Sequence, residues 1–182
     1  MQRIAVIGGT GMKQLVAEAD FGDSGFTVSQ VDSLISENEY GEVPIEVMVL
    51  SRQGGSDECR IFVIHRHHGD GKTTPPHLVN YHAIVRAAAD CRPEVILSVQ
   101  SVGGIDPNFP PGIVGMAEHT LDFSGGPITF SEDDAHHADM THHYPESLRN
   151  LLRPILTNQS DQDILLDHVV AHMTGPQFET PA

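Results

Sequence analysis

The sequence predicts an α/β fold: a single domain over residues 1–182, built on a mostly parallel, twisted mixed sheet flanked by helices. Three observations lead there. Apolar runs of strand length alternate with segments of helical period, the pattern of strands joined by crossover helices. The 182 residues suffice for one domain with a sizeable core. No internal repeat, low-complexity stretch or linker divides the chain.

The elements follow in order. "RIAVI" (3–7) is a short apolar run bounded by "GGTG", hence a buried strand entering a tight turn. "MKQLVAEA" (12–19) fits a short helix. "IEVMVL" (45–50) and "IFVIH" (61–65) read as strands on either side of the loop "SRQGGSDE". "NYHAIVRAAADC" (80–91) is a helix with Ile84, Ala87, Ala88 and Cys91 on one face. "EVILSVQS" (94–101) is a β-rich run ending in "VGG", and "GIVGMAEHTLDF" (112–123) holds another strand. Residues 124–143 are loop-like. "PESLRNLLRPIL" (145–156) enters a helix at proline and spaces Leu148, Leu151, Leu152 and Ile155 helically. "ILLDHVVAHM" (164–173) is the last strand.

Composition narrows the function. Net charge is −15, with two lysines (Lys13, Lys72) against 25 acidic residues. Nucleic acid is excluded as a partner, because a phosphate backbone demands a basic surface. A small anionic ligand would need a strongly local donor cluster to overcome the overall field. No apolar run has membrane-spanning length, and no membrane partner is expected. The two cysteines, Cys59 and Cys91, have no metal or redox spacing. A cytoplasmic location with both thiols free is expected.

Ligands of parallel sheets bind beyond the carboxyl ends of the strands. Four such ends carry suggestive residues: "GGTGM" (8–12), "HRHHGDGK" (65–72), "SVGG" (101–104) and "MTGPQFE" (173–179). In "GGTG", backbone N–H groups and the Thr10 hydroxyl can face an anion at a helix start. A plain tight turn explains the same glycines. A dinucleotide fingerprint is a third reading, resting on Gly9, Gly11 and Asp32, although Gln14 holds its third glycine position. "HRHHGDGK" gathers Arg66, His67, His68 and Lys72, the densest cationic patch, suited to phosphate unless it is a solvated loop. "HHADMTHH" offers His136, His137, Asp139, His142 and His143, but its spacing matches no zinc motif and no metal is expected. A loop packing on a ligand or a neighbouring subunit suits it better. In "GPQFE", Phe178 can stack on a flat base and Glu179 can accept from a ring N–H; a core Phe and a surface Glu is the plainer alternative.

In order, these segments resemble the trimeric purine nucleoside phosphorylase family, which includes the methylthioadenosine and methylthioinosine phosphorylases. "IAVIGGTGM" is similar to its N-terminal phosphate loop. "HHGDGKTTPPHLVNYHA" is similar to its Arg-His-Gly stretch, and "SVQSVGGI" to the strand and turn closing the phosphate site. "HADMTHHYPESLR" resembles its subunit-interface loop and "MTGPQFETPA" its purine segment. The resemblance implies a nucleoside phosphorylase-like fold, a homotrimer, no cofactor, and phosphorolysis with inorganic phosphate as co-substrate. A purine nucleoside, of 5'-methylthioinosine type, would be the other substrate. It also implies residues. Thr10, His67, His68 and Ser101 would contact phosphate, with Gln100 beside them. Phe178 and Glu179 would face the purine, and His137 would reach the ribose 5' end of the neighbouring subunit.

There are two departures. His67 stands where the family has arginine; either Arg66, one residue earlier, takes over that role through a one-residue shift, or phosphate binding is weaker than in the family. The chain also stops at "TPA", Thr180 to Ala182, which reads as a helix start because Thr suits the N-cap and Pro the first helical position. The expectation is therefore a chain lacking the family's C-terminal third. A catalytically inactive phosphate- or nucleoside-binding remnant and a Rossmann-type dinucleotide enzyme stand as alternatives.

Overall fold

The structure, a computed structural model, describes residues 2–9, 12, 21–69, 72–126, 129–157 and 166–177. The expected helix over 12–19 lies outside the described residues except for Met12. The chain divides into two compact units, Met1–Ser101 and Val102–Ala182.

The first unit holds a five-stranded mixed sheet in the order β2-β3-β4-β1-β5. Its strands are β1 (Gln2–Gly8), β2 (Phe26–Asn38), β3 (Gly41–Arg52), β4 (Glu58–His65) and β5 (Val95–Val99). β1 pairs in parallel with β4 and β5. β3 runs antiparallel to both β2 and β4. The apolar runs that predict β1, β3 and β4 hold the interior of the sheet, where continuous rather than alternating hydrophobicity is required. β2 is different. It is an edge strand, and its sequence "FTVSQVDSLISEN" leaves most side chains exposed.

Helix α1 (Tyr81–Asp90) covers one face. Ala83, Ile84, Ala87, Ala88 and Cys91 pack with Ala5, Val43, Ile45, Val47, Phe62 and Ile64, all nearly or fully buried. The predicted apolar face of the helix is thus the buried one. Asn80 caps the helix by accepting from the Ala83 N–H at 3.0 Å. Its amide also donates to the Tyr40 carbonyl at 2.8 Å, and Asn38 donates to the Ala83 carbonyl at 3.2 Å. The β2–β3 turn is therefore fastened to the helix entrance. At the other end, Arg3 Nε donates to the Cys91 carbonyl at 2.7 Å while its guanidinium lies over Phe62, a cation at the negative helix terminus. Both cysteines are buried and free, and burial pushes both thiols above their usual pKa.

The second unit contains the parallel pair β6 (Met116–Asp122) and β7 (Asp167–His172) and helix α2 (Glu146–Leu156). Only part of the helix's apolar stripe is covered. Leu148 and Leu152 are half-buried, while Leu151 and Ile155 are 72% and 71% exposed. Arg149 supplies the attachment that apolar burial does not. Its guanidinium donates to the Tyr144 carbonyl at 2.7 Å, pairs with Glu118 at 3.3 Å and stands 3.0 Å from Asp167 Oδ1. Arg153 takes the other Asp167 oxygen at 2.6 Å. One half-buried cluster of opposite charges thus ties α2 to β6, to the start of β7 and to the loop before the helix.

Candidate anion-binding site

Register places three strand ends side by side. Gly8 pairs with His65 on β4 and with Val99 on β5, so the residues after each emerge together. Two backbone bonds extend the pairing past the strands: Arg66 N–H to the Gly8 carbonyl at 2.8 Å and Gly9 N–H to the Val99 carbonyl at 3.3 Å. This is the crevice position that a parallel sheet offers a ligand.

Arg66 is the centre of the cluster. Its Nη1 donates to Gln100 Oε1 at 2.9 Å and its Nε to His67 Nε2 at 3.4 Å. Its Nη2 lies 3.5 Å from where a Cβ on Gly9 would stand, so the absent side chain leaves the guanidinium over the glycine backbone. His67 Nδ1 is 2.9 Å from the Thr74 carbonyl, which fixes that nitrogen as the donor and leaves Nε2 as the acceptor that Arg66 uses. His68 Nδ1 likewise donates to the His65 carbonyl at 2.9 Å. The loop closes on Thr74, whose N–H bonds the His67 carbonyl at 3.1 Å and whose hydroxyl donates to the His68 carbonyl. Gly69 fits this closure because a Cβ there would meet Lys72 O and Thr74 Oγ1 at 2.8 Å. Arg66, His67 and His68 are half-buried, and Gln100 and Ser101 are exposed. The result is a local cation with spare donors, held by neutral groups, in a strongly acidic chain.

The structure therefore brings Arg66, His67 and Gln100 together, with His68 two residues on turned back onto the His65 carbonyl and Ser101 next in the chain after Gln100. Thr10, Phe178 and Glu179 lie outside the described residues. His137 is exposed in the loop of the second unit. There, His143 Nδ1 donates to the Met140 carbonyl at 2.6 Å, and its ring lies 4.2 Å from that of Tyr144. Asp139 accepts from the Thr141 side chain and from the Thr141 N–H, and these bonds hold its carboxyl below the usual range. Among the described residues no group of three or more His, Cys, Asp or Glu side chains gathers as a metal site would. Sequence reasoning missed Thr74, although the polar "TT" before "PP" marks a turn able to bond back to its loop. It also missed His65, whose signal is a histidine closing the apolar run "IFVI" of β4.

The dinucleotide reading fails on topology. Asp32 sits in the middle of β2, antiparallel and opposite Val47, on a strand separated from β1 by β3 and β4. A ribose contact needs a carboxylate at the carboxyl end of a strand running parallel beside the first.

The phosphorylase superfamily matches residues 3–182. A protein of Methanothermobacter thermautotrophicus named "Probable S-methyl-5'-thioinosine phosphorylase" is 31% identical over 98% of this chain and 57% of its own length. A Pseudomonas syringae protein of the same name is 33% identical over 98% of this chain and 68% of its own. The 6-oxopurine nucleoside phosphorylase of Pyrococcus furiosus is 30% identical over 100% of this chain and 65% of its own. This chain thus spans about three fifths of the length of such relatives. Among solved structures, a methylthioadenosine phosphorylase from an antarctic soil metagenomic library superposes with a TM-score of 0.71 at 24% identity, over 98% of this chain and 58% of its own. The apo methylthioadenosine phosphorylase of Schistosoma mansoni gives 0.69 at 23% identity, over 99% and 66%. Both share the α/β fold described above.

Proposed function

Because the chain belongs to the phosphorylase superfamily, we propose that the protein catalyses phosphorolysis of a purine nucleoside. The substrate is of the 5'-methylthioinosine type, and the products are the free base and a (methylthio)ribose 1-phosphate. The observation that carries this reading is the gathering of Arg66, His67 and Gln100 beyond the carboxyl ends of β1, β4 and β5. Phosphate attack on an anomeric carbon needs no protein nucleophile. It needs a positioned phosphate and stabilisation of an oxocarbenium-like transition state, so a fixed guanidinium suffices as the protein's share at this end. Arg66 takes the part of the family's arginine: its Nη2 and second Nη1 hydrogen remain for an anion after the bonds to Gln100 and His67 are made. Thr10 and Ser101 complete the cradle.

Phe178 and Glu179 form the purine wall. An ionised carboxylate facing the base edge gains a charge-assisted bond from the N1–H of a 6-oxopurine and repels the bare N1 of a 6-aminopurine. The names of relatives in three organisms agree with the 6-oxo preference. The protein works as a homotrimer in the cytoplasm without a cofactor, His137 and Met140 serving the 5' end of the ribose in an adjacent subunit. Sedimentation of a stable monomer at high concentration would refute that assembly. The function is tested by following ultraviolet absorbance with methylthioinosine, with and without phosphate. Base release that requires phosphate is expected. Release at the same rate without phosphate refutes the reading.

A further inference from the structure

His65 is the only buried polar or charged residue among those described, at 8% exposure. It closes β4, and the alternation of that strand turns its side chain away from the α1 face that Ile64 packs against. Glu46 shares the opposite face, since its neighbours Ile45 and Val47 belong to the α1 core. His65 Nε2 lies 3.1 Å from Glu46 Oε2. A carboxylate only accepts, so Nε2 carries the proton and donates. The other ring nitrogen, Nδ1, is buried with no partner.

Stability does not account for this arrangement. Leucine in the slot would bury without leaving an orphan nitrogen, whereas histidine there carries a desolvation cost. The main chain of the same residue supplies another reason to keep it. The His65 carbonyl accepts from the His68 N–H at 3.1 Å and from His68 Nδ1 at 2.9 Å. The next residue in the chain is Arg66. One peptide therefore carries both the ring of His68 and the origin of the guanidinium, and its side chain is tied sideways to β3.

We propose that His65 and Glu46 are a positioning pair for the anion cradle: the Glu46 carboxylate fixes the His65 ring, and with it the carbonyl that holds the His68 ring and the peptide from which Arg66 springs. This rests on the cradle being the phosphate site. Neither residue touches the anion. The chemistry recognised remains that of inorganic phosphate, and the pair sets how tightly it is held.

The test measures binding of inorganic phosphate by calorimetry, with nitrogen NMR of the His68 imidazole and an unfolding midpoint for each variant. Glu46→Leu should weaken phosphate about tenfold, the worth of one positioned hydrogen bond, and should shift the His68 ring signals; it also orphans the buried Nε2 and should lower the midpoint, which His65→Leu, leaving no orphan nitrogen, should not. Glu46→Gln keeps an oxygen that accepts from Nε2 and should stay within about twofold of the parent. His65→Leu gives the same test from the other partner should Glu46→Leu fail to fold, and a similar loss of affinity is expected. Parent-like phosphate affinity in Glu46→Leu or His65→Leu, with Arg66→Met weakened, overturns the pair and leaves the cradle standing. If Arg66→Met also binds as the parent does, both the pair and the cradle fall.

Discussion

Replacing Arg66 by methionine removes the cation while keeping most of the side chain's length and its apolar stem. An arginine has five N–H donors. Two are engaged here, Nη1 on Gln100 and Nε on His67, which leaves three for an anion, two of them on the Nη2 that overhangs Gly9. A single hydrogen bond to a charged group is worth about 1.5–3 kcal/mol. Losing one such bond to phosphate weakens binding roughly ten- to 150-fold. The guanidinium is only half-buried, so solvent screening favours the lower part of that range. Arg66→Lys should fall between parent and methionine variant, since an ammonium cannot hold Gln100 and His67 and still present a planar fork. Calorimetry with inorganic phosphate at constant ionic strength reads the effect. An Arg66→Met affinity within twofold of the parent would refute the assignment of Arg66 as principal donor.

Other consequences follow from the same structure. Glu179→Gln places an amide N–H where the carboxylate stood, so kcat/KM for methylthioinosine should fall about tenfold and the preference over methylthioadenosine should shrink; a parent enzyme that favours the adenine substrate would remove Glu179 from this role. Arg149→Leu strands Glu118 and half of Asp167 and should cost about 3 kcal/mol in urea unfolding, whereas Arg52→Leu, which breaks the exposed pair with Asp57, should cost less than about 1 kcal/mol. Burial raises the pKa of each thiol on folding above its ordinary value of 9.0. The contribution is therefore complete below that value and lost as pH rises through the folded pKa. Stability should accordingly fall above about pH 9, and a Cys59→Ala/Cys91→Ala double variant should show a shallower alkaline decline; an unchanged slope would contradict the linkage.

What was legible in the sequence was what burial dictates. The apolar runs at 3–7, 45–50 and 61–65 lie within β1, β3 and β4, and the four-residue spacing of Ile84 and Ala88 marks the face of α1 in the core. β2 was not legible as a strand. It is an exposed edge whose residues face solvent on most positions, so no hydrophobic period distinguishes it from a loop. For the same reason "TVSQVD" lent itself to a ribose contact that the antiparallel hairpin excludes. At the site, the cationic patch of 65–72 was visible as composition. The bond from Arg66 to Gln100, across 34 residues, was not, because only the parallel register of β4, β1 and β5 brings those ends together. The role of Glu46 was hidden inside "IEVMVL", where a carboxylate as the second residue of the run reads as an outward-facing side chain. Its partner lies on the neighbouring strand, and no spacing along the chain records that.

The most direct measurement of the central claim is phosphorus NMR of the protein with methylthioinosine and phosphate, alongside the free base released. If phosphate is the nucleophile, a sugar 1-phosphate signal grows in step with hypoxanthine, and inorganic phosphate declines by the same amount. Base released while inorganic phosphate stays constant would mean that water attacks instead. No base released, from a protein that binds phosphate, would mean that the cradle holds its anion without turnover. Either result would contradict the account.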